Sequence, residues 1–154
     1  MNHYLKTILI LMSPLLLAVT ERGRIEQVVL SALRIEKISD MKFPDAVAGD
    51  DPYTIVPSQG ETFQNASFDI YGEANKSFRI ILPSNGKVKL RIKNHYAGNA
   101  VIDVNKFQSN YSNNFGRIKN NGKASLYVGA TRSELKLNQR AGRYQGRFNI
   151  SVVY

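Results

Sequence analysis

The stretch Arg143-Tyr-Gln-Gly-Arg-Phe-Asn-Ile-Ser-Val-Val-Tyr154 decides the fold class of this chain. Most of its apolar residues fall on one parity, namely Tyr144, Phe148, Ile150, Val152 and Tyr154. Its polar residues fall on the other parity, namely Arg143, Gln145, Arg147, Asn149 and Ser151. Alternation with a period of two is typical of a β-strand that buries one face. Because a lone strand leaves its backbone groups unpaired, the pattern predicts a strand that neighbouring strands hold in a sheet.

Short apolar runs bounded by turn residues predict more strands along the chain. The predicted strands are Val28 to Ile38, Ser67 to Gly72, Ser77 to Pro83, Lys87 to Lys93, Ala100 to Phe107, Ala124 to Gly129 and Ser133 to Leu137. A helix is the alternative for the first predicted strand, Val28 to Ile38. Asn85-Gly86 predicts a hairpin turn. Residues 45–60 and 108–122 are predicted loops. About eight short strands predict an antiparallel β-sandwich of immunoglobulin-like type, with a partly closed barrel as the alternative.

Residues 1–20 have the pattern of an export signal. Lys6 is the only charged residue in this segment, and Thr7 to Val19 is almost wholly apolar. A run of this length matches the apolar region of a signal peptide better than a membrane span, which needs about 20 residues. Cleavage before Glu21 would leave one exported domain at residues 21–154 that is not an integral membrane protein. An uncleaved anchor or a buried N-terminal helix is the alternative.

The composition is basic and lacks cysteine. The formal net charge is +9 at pH 7, and the cysteine count is 0. An exported domain without disulfides must rely on its hydrophobic core and its sheet hydrogen bonds. The positive charge favours an anionic partner, such as a surface polysaccharide or lipid headgroups. No aromatic RNA-recognition motif accompanies the cations, so nucleic acid is not an expected partner.

The sequence holds no constellation of catalytic residues. His95 is the only histidine after the signal, and no Asp or Glu lies close to it in sequence. A nucleophile elbow and a glycine-rich phosphate loop are both absent. We therefore expect no enzyme and no cofactor, since a hydrolase on this scaffold would need His95 in a pocket beside a carboxylate. Asp45, Asp50, Asp51 and Glu61 fit a solvated acidic loop better than a calcium site.

Lys87, Lys89, Arg91 and Lys93 form a cationic stripe along one side of a predicted strand. The residues between them are apolar and face the other side. One interpretation is a surface that binds an anionic polymer. The other, which we favour, is a solvated face or an edge strand that charge protects against pairing.

Three segments together resemble a known family. They are Leu33 to Phe43, Phe68 to Pro83, and Leu126 to Thr131 combined with Ala141 to Tyr154. Their order is similar to that in the bacterial exported family called domain of unknown function 4402, although Pro44 stands where that family usually has Gly. The closing G-x-Y-x-G-x-F pattern, continued here by Ile150, Val152 and Tyr154, is also similar to spore-coat-protein-U-like and other chaperone–usher pilin domains.

The pilin resemblance implies an immunoglobulin-like fold that lacks its last strand. A neighbouring subunit supplies that strand by donor-strand complementation, a form of β-augmentation. The resemblance implies a non-enzymatic structural or adhesive subunit of a bacterial surface fibre, located in the periplasm, at the cell surface or in a fimbrium. Its partners would be other fibre subunits or copies of itself, and a periplasmic chaperone.

In that scheme the strand from Tyr144 to Tyr154 is the subunit-contact strand. The candidate donor strand carries Ile25, Val29, Leu33 and Ile35. Since Glu21 to Gln27 is short and polar, a separate donor extension and a complete first strand compete for the same residues. The alternative is a domain that is complete by itself and acts as a monomeric envelope or secreted module. Such a module would bind an anionic glycan or lipid through the cationic stripe.

Overall fold

The alternating segments form ten strands in the part of the chain that the structure describes. The computed structural model describes Arg24, residues 26–58 and residues 60–154, so the predicted signal and Ile25 lie outside it. The strands are β1 Arg34–Ser39, β2 Tyr53–Thr54, β3 Ala66–Tyr71, β4 Ser77–Ile81, β5 Val88–Ile92, β6 Val101–Ser109, β7 Phe115–Arg117, β8 Lys123–Arg132, β9 Tyr144–Gln145 and β10 Ser151–Val153. Two short 3-10 turns, Gly98–Ala100 and Ser112–Asn114, complete the regular structure. Within these ranges no helix is long and apolar enough to span a membrane.

The strands belong to two antiparallel sheets. The larger has seven strands in the order β1-β3-β8-β6-β5-β9, with β2 paired to one end of β8. The smaller has three strands in the order β10-β4-β7. Together they form a curled, sandwich-like fold, which confirms the predicted all-β class.

The core is built by the inward-facing parity of the long strands. Its largest fully buried apolar side chains are Phe78, Ile70, Ile118, Leu126 and Val128. A smaller buried cluster, Val88, Val104 and Ala130, belongs to β5, β6 and β8. Phe107 and Phe148 pack against both clusters and so connect them. Because the two clusters share these aromatic rings, neither half of the sandwich has a core independent of the other.

The first strand is shorter than the sequence predicts. It begins at Arg34 rather than at Val28, and residues 26–33 have no regular secondary structure. Its one partner is β3, where Arg34 pairs with Tyr71, the last residue of that strand. A strand needs a paired backbone, and β3 offers none beyond this point.

The Asn85-Gly86 turn exists but does not form the predicted hairpin. Gly86 has a φ of +79°, as such a turn requires. The turn leads from β4 in the smaller sheet to β5 in the larger sheet, so it carries the chain across the sandwich. Side chains fasten it to β6. The Oδ1 atom of Asn85 accepts from Lys106 N–H at 2.8 Å, and that of Asn105 accepts from Gly86 N–H at 2.6 Å.

Four other sequence predictions about secondary structure differ from the structure in detail. The predicted loops at residues 45–60 and 108–122 contain β2 and β7, which are too short for a periodic signal. The strand predicted at Ala124 to Gly129 is part of the longer β8. The strand predicted at Ser133 to Leu137 is absent, because backbone N–H groups of this stretch donate to Asp103 and Asp50 in other segments instead of joining a ladder.

Residues 144–154, here called the closing segment, are divided between the two sheets. β9 pairs with β5 in the larger sheet, and β10 pairs with β4 in the smaller. Residues 146–150 cross between the sheets and pair with no described strand. The crossing is close at Gly146, where a Cβ atom would lie 2.5 Å from the carbonyl oxygen of Lys89. The prediction of one continuous closing strand is therefore wrong, although Phe148, Ile150 and Val152 of its apolar parity still pack against the core.

A candidate functional site between two sheet edges

An open groove lies between β1 and the closing segment. Its volume is about 500 Å³. Its lining residues are Ile35, Lys37, Phe68, Phe148, Asn149, Ile150 and Ser151. One wall therefore belongs to β1 of the larger sheet, the other to the closing segment, and Phe68 comes from β3. We call this feature the edge groove.

Both walls of the edge groove are strand edges without a described partner on the groove side. β1 pairs only with β3, and β10 pairs only with β4. Between them, residues 146–150 form no ladder pair with any other described strand. Exposed strand edges present rows of unpaired N–H and C=O groups, which are ready to pair with another chain. The groove thus offers backbone hydrogen-bonding groups to a strand that enters it.

The apolar side chains beside the groove are only half covered. Ile35, Phe148, Ile150 and Val152 all pack against the main core cluster but remain partly exposed. By contrast, Ile70 and Leu126 on the central strands β3 and β8 are both 0% exposed. A further strand over the groove would cover the first set more fully, since these side chains face the interior between the sheets. These four half-buried side chains follow the gap between the two sheets. One further strand in that gap would bury them.

Aromatic rings fix the closing segment over the core. The ring of Phe148 lies 6.4 Å from that of Phe68 in an edge-to-face arrangement, and 5.2 Å from that of Phe107. Both distances are in the range in which aromatic pairs attract. The crossing residues 146–150 are therefore anchored by a side chain, although they lack ladder hydrogen bonds.

A polar contact ties together the chain segments that flank one end of β1. The hydroxyl of Tyr154 donates to the carbonyl oxygen of Ser31 at 2.5 Å and accepts from Glu73 N–H at 2.8 Å. Ser31 N–H in turn donates to the Glu73 carboxylate, and this hydrogen bond is the main reason why the pKa of Glu73 is lowered. Gly72 leaves room for the contact, since a Cβ there would lie 2.8 Å from the hydroxyl of Tyr154.

A second polar cluster holds the other end of β1. The carboxylate of Glu61 accepts from the Ser67 hydroxyl at 2.6 Å and from the Ser39 hydroxyl at 2.9 Å. These two hydroxyls lie 2.6 Å apart and join β1 to β3. The hydrogen bond from Ser67, followed by those from Ser39 and from the Phe63 N–H, lowers the pKa of Glu61, although desolvation opposes them. Sequence reasoning missed this cluster because its residues are far apart in the chain.

The predicted donor residues do not lie together on one free strand. Leu33 and Ile35 pack against the main core cluster, and Ile35 lines the edge groove itself. Val29 is 83% exposed in the segment before β1, and Ile25 lies outside the described residues. A donor role for Leu33 and Ile35 would require β1 to leave β3, so that part of the hypothesis stays a prediction.

The cationic stripe has two members on β5, Lys89 and Arg91, and two that flank this strand, Lys87 and Lys93. Its members Lys87, Lys89, Arg91 and Lys93 are all exposed, whereas Val88 between them is buried. Lys89 forms an ion pair with Asp103 of β6. β5 is paired with β6 on one side and with β9 on the other, so it is not an edge strand along Arg91–Ile92. Protection of an edge therefore does not explain that part of the stripe.

The predicted acidic and histidine positions form no common site. Asp50 accepts from Val47 N–H within its own loop, whereas Glu61 bonds to the serines of β1 and β3. His95 lies in the turn after β5, where its backbone N–H donates to Ile92. In the part of the chain that the structure describes, no group of three or more His, Asp and Glu residues is placed to hold a metal ion.

Sequence reasoning identified part of one wall of the edge groove, and it assigned Ile35 of the other wall to the candidate donor strand. Phe148 and Ile150 were predicted as contact residues, but Lys37 and Phe68 were not. Phe68 lies on the inward parity of a predicted strand. Alternation therefore predicts that Phe68 is buried, but it does not predict that Phe68 lies beside the closing segment. The missing information is which strands flank one another, and alternation along one strand does not contain it.

Comparison with known proteins gives one match. The family model described as "Domain of unknown function (DUF4402)" matches residues 48–154. No curated protein and no solved structure matches the chain. The matched range contains β2 to β10, including the closing segment and Phe68, whereas β1 precedes it.

Proposed function

We propose that this chain, which belongs to the domain of unknown function 4402 family, is a non-enzymatic structural or adhesive subunit of a bacterial surface fibre. Subunits would assemble by donor-strand complementation, in which one subunit inserts a β-strand into a neighbour. The observation that supports the proposal is the edge groove, with its two unpaired strand edges and its half-covered apolar row. An exported subunit of this kind would act in the periplasm, at the cell surface or in a fimbrium, with a periplasmic chaperone as an early partner.

The groove has the two properties that strand addition uses. Backbone groups on the edges provide hydrogen bonds of the same kind for any strand, and these contribute affinity. Side-chain pockets that recur every second residue provide specificity and register. Here Phe148, Ile150 and Val152 have that spacing on one wall, so an inserted strand would place every second apolar side chain between them.

We propose that the donor is the segment before β1 of a second copy. In that segment Val28 is 72% exposed and Val29 is 83% exposed, and neither residue belongs to a strand. The hydrogen bonds of Ser31 to Tyr154 and Glu73 fix the point at which this segment leaves its own domain. The proposed donor segment would thus be shorter than the predicted donor strand, which carries Ile25, Val29, Leu33 and Ile35. Because the segment ends before β1, β1 would stay paired with β3.

Engineered disulfides test this assembly, since the chain has no cysteine of its own. The double variant Val29→Cys with Asn149→Cys places one thiol on the donor segment and the other on the groove wall. If strands are exchanged between copies, mild oxidation gives a ladder of covalent oligomers on a non-reducing gel. The matched control pairs Val29→Cys with Leu137→Cys, a residue that is 90% exposed and does not line the groove.

Two results would contradict the proposal. One is equal cross-linking in the test and control pairs, which would indicate random collision. The other is a stable monomer whose only disulfide joins positions 29 and 149 of the same chain, which would indicate a domain that completes itself. Mass spectrometry of the oxidised monomer distinguishes the two results, because it detects whether positions 29 and 149 of the same chain are joined.

A second candidate function is a monomeric envelope module that binds an anionic glycan or lipid through the cationic stripe. The observation that favours it is the pairing of β5 on both sides, which leaves Arg91 without an edge to protect. Anionic vesicles and a sulfated polysaccharide are suitable probes, with binding that weakens as salt rises. Reversal of charge at Lys87, Lys89, Arg91 and Lys93 should abolish the binding, and unchanged binding would contradict this candidate.

A further inference from the structure

The outer face of the smaller sheet exposes large apolar side chains. Phe115 on β7 is 59% exposed, Ile81 on β4 is 45% exposed and Val153 on β10 is 38% exposed. The register pairs Arg79 with Phe115 on one side and with Val153 on the other. Directly paired residues project from the same face of a sheet. The aromatic ring and the guanidinium group are therefore side by side on a face that the described chain does not cover.

A cleft opens at one edge of this face. The register of β4 with β7 ends at the pair Arg79–Phe115, where the chain turns away through Ser112–Asn114. The separation leaves a cleft of about 450 Å³, whose lining includes Arg79, Ile81, Leu82, Asn113, Asn114 and Phe115. We call it the β4–β7 cleft. It lies on the β7 side of β4, whereas the edge groove lies beyond β10 on the other side, so one ligand cannot fill both.

The charge of the β4–β7 cleft is positive and uncompensated. Its lining contains no Asp or Glu, and within the described ranges the side chain of Arg79 forms no ion pair and no hydrogen bond. Arg117 lies on the same face, where it is paired with Ser77, and its Nε donates to the carbonyl oxygen of Asn75 at 2.8 Å. An exposed guanidinium with no protein partner is available for a carboxylate, which it binds through two parallel hydrogen bonds.

The polar side chains at the rim suit hydroxyl groups. Asn113 and Asn114 have φ values of 52° and 60°, the left-handed region that turns the chain away from β4. The Oδ1 atom of Asn114 accepts from the Ser109 hydroxyl at 2.9 Å, whereas the amide of Asn113 makes no hydrogen bond to any described residue. A side-chain amide both donates and accepts hydrogen bonds. It can therefore bind a sugar hydroxyl that acts as either an acceptor or a donor.

We infer that the β4–β7 cleft binds an acidic oligosaccharide whose sugars carry carboxylates. Arg79 would hold the carboxylate, the ring of Phe115 would pack against the apolar C–H face of a sugar, and Asn113 would bind its hydroxyls. The ring face is the negative part of the aromatic quadrupole and attracts the weakly positive C–H groups. A neutral glycan lacks the group that Arg79 recognises. The inference does not depend on the fibre proposal, since the edge groove takes no part in it.

Isothermal titration of the full chain with oligogalacturonate, a uronic acid oligomer, tests the inference. Arg79→Gln and Phe115→Leu should each weaken binding by about tenfold or more, and rising salt should weaken it further in the wild type. The matched controls are Arg143→Gln, an exposed arginine outside both the cleft and the cationic stripe, and Phe63→Leu, a phenylalanine that is 86% exposed elsewhere. The controls should bind as the wild type does, and neutral galacto-oligosaccharide should not bind.

Four outcomes would overturn the inference. One is an absence of uronate binding, and another is equal loss in Arg79→Gln and Arg143→Gln, which would indicate unspecific charge attraction. Preference for a sulfated oligosaccharide without carboxylates would assign the cleft to a different ligand. The fourth outcome is a dimer of the wild type that Phe115→Leu dissociates, which sedimentation velocity would detect. Such a dimer would show that this face binds a second copy of the chain. All four substituted side chains are exposed, so we expect unchanged thermal unfolding in each variant.

Discussion

The Tyr154 hydroxyl donates a hydrogen bond of 2.5 Å to the carbonyl oxygen of Ser31, a residue 123 positions earlier in the chain. It also accepts from the backbone of Glu73, so one oxygen atom joins three segments. The contact keeps the start of β1 against β3, while residues 26–30 belong to no strand. It thereby separates the part of the chain that belongs to its own sandwich from the part that we propose is donated to a neighbour.

Replacing Tyr154 with Phe should destabilise the domain by about 1–2 kcal/mol, because two hydrogen bonds of ordinary net strength are lost. Urea unfolding followed by circular dichroism measures the change. Tyr96→Phe is the matched control, since the side chain of Tyr96 is 80% exposed and its hydroxyl bonds to no described residue. Equal stability of the two variants would show that the Tyr154 contact contributes nothing in solution.

Replacing Phe148 with Ala should cost about 2–3 kcal/mol, less than a fully buried Phe because the side chain is only half covered. The loss has two sources, namely the ring contacts with Phe68 and Phe107 and the link between the two core clusters. Thermal unfolding by calorimetry checks the value. In the control Phe63→Ala the removed ring is 86% exposed, and we expect a change below about 0.5 kcal/mol.

Replacing Gly129 with Ala should destabilise the domain by about 1–3 kcal/mol through a steric collision. A Cβ atom at this point of β8 would collide with the carbonyl oxygen of Ile55, which belongs to backbone and cannot rotate away. At Gly60 no atom lies within 4 Å of the corresponding Cβ position, so Gly60→Ala is the control. Chemical unfolding measures the free energy of unfolding of both variants. Equal values for the two alanine variants would argue against the close approach of the Ile55 backbone to Gly129.

Replacing Glu61 with Gln should reduce the acid sensitivity of the domain. Hydrogen bonds from Ser67 and Ser39 lower the pKa of Glu61 below its ordinary value of 4.5. The lowered pKa contributes stability that is present above about pH 4.5 and is lost as the pH falls through the folded-state pKa.

The stability gap between wild type and Glu61→Gln should therefore be largest near pH 7 and should narrow in acid. Urea unfolding at a series of pH values measures it. Glu134→Gln is the control for the loss of a surface carboxylate, since the side chain of Glu134 is exposed and forms no hydrogen bond with the described residues. A Glu61→Gln gap that does not narrow in acid, or that follows pH as the control does, would rule out the two serine hydrogen bonds as the source.

The sequence predicted the fold class because alternation is a local property. β3, β4 and β5 lie within two residues of their predicted positions, since each has a buried parity along its whole length. β2 and β7 escaped prediction because two or three residues cannot show a period. The Asn85-Gly86 turn was recognised, but its strands join different sheets, and the turn alone does not determine which strands pair.

The candidate site could be predicted only in part. Phe148 and Ile150 were marked by their parity, but the groove exists because the chain crosses from one sheet to the other at residues 146–150. Local alternation continues through the crossing, so it predicts one strand where the structure has two short ones. The β4–β7 cleft had no sequence signal, since Arg79 and Phe115 are brought together only by the register.

The division of the closing segment also constrains how the protein is made. A polypeptide leaves the ribosome, and any export channel, in the order of its sequence. β9 covers one side of β5 and β10 covers one side of β4, so both sheets stay unfinished until residues 144–153 have emerged. Because neither cluster can close without Phe148, the nascent chain cannot finish one half of the domain while the other half is being synthesised. The domain therefore completes its folding only after the closing segment has emerged, and until then two strand edges need protection from aggregation.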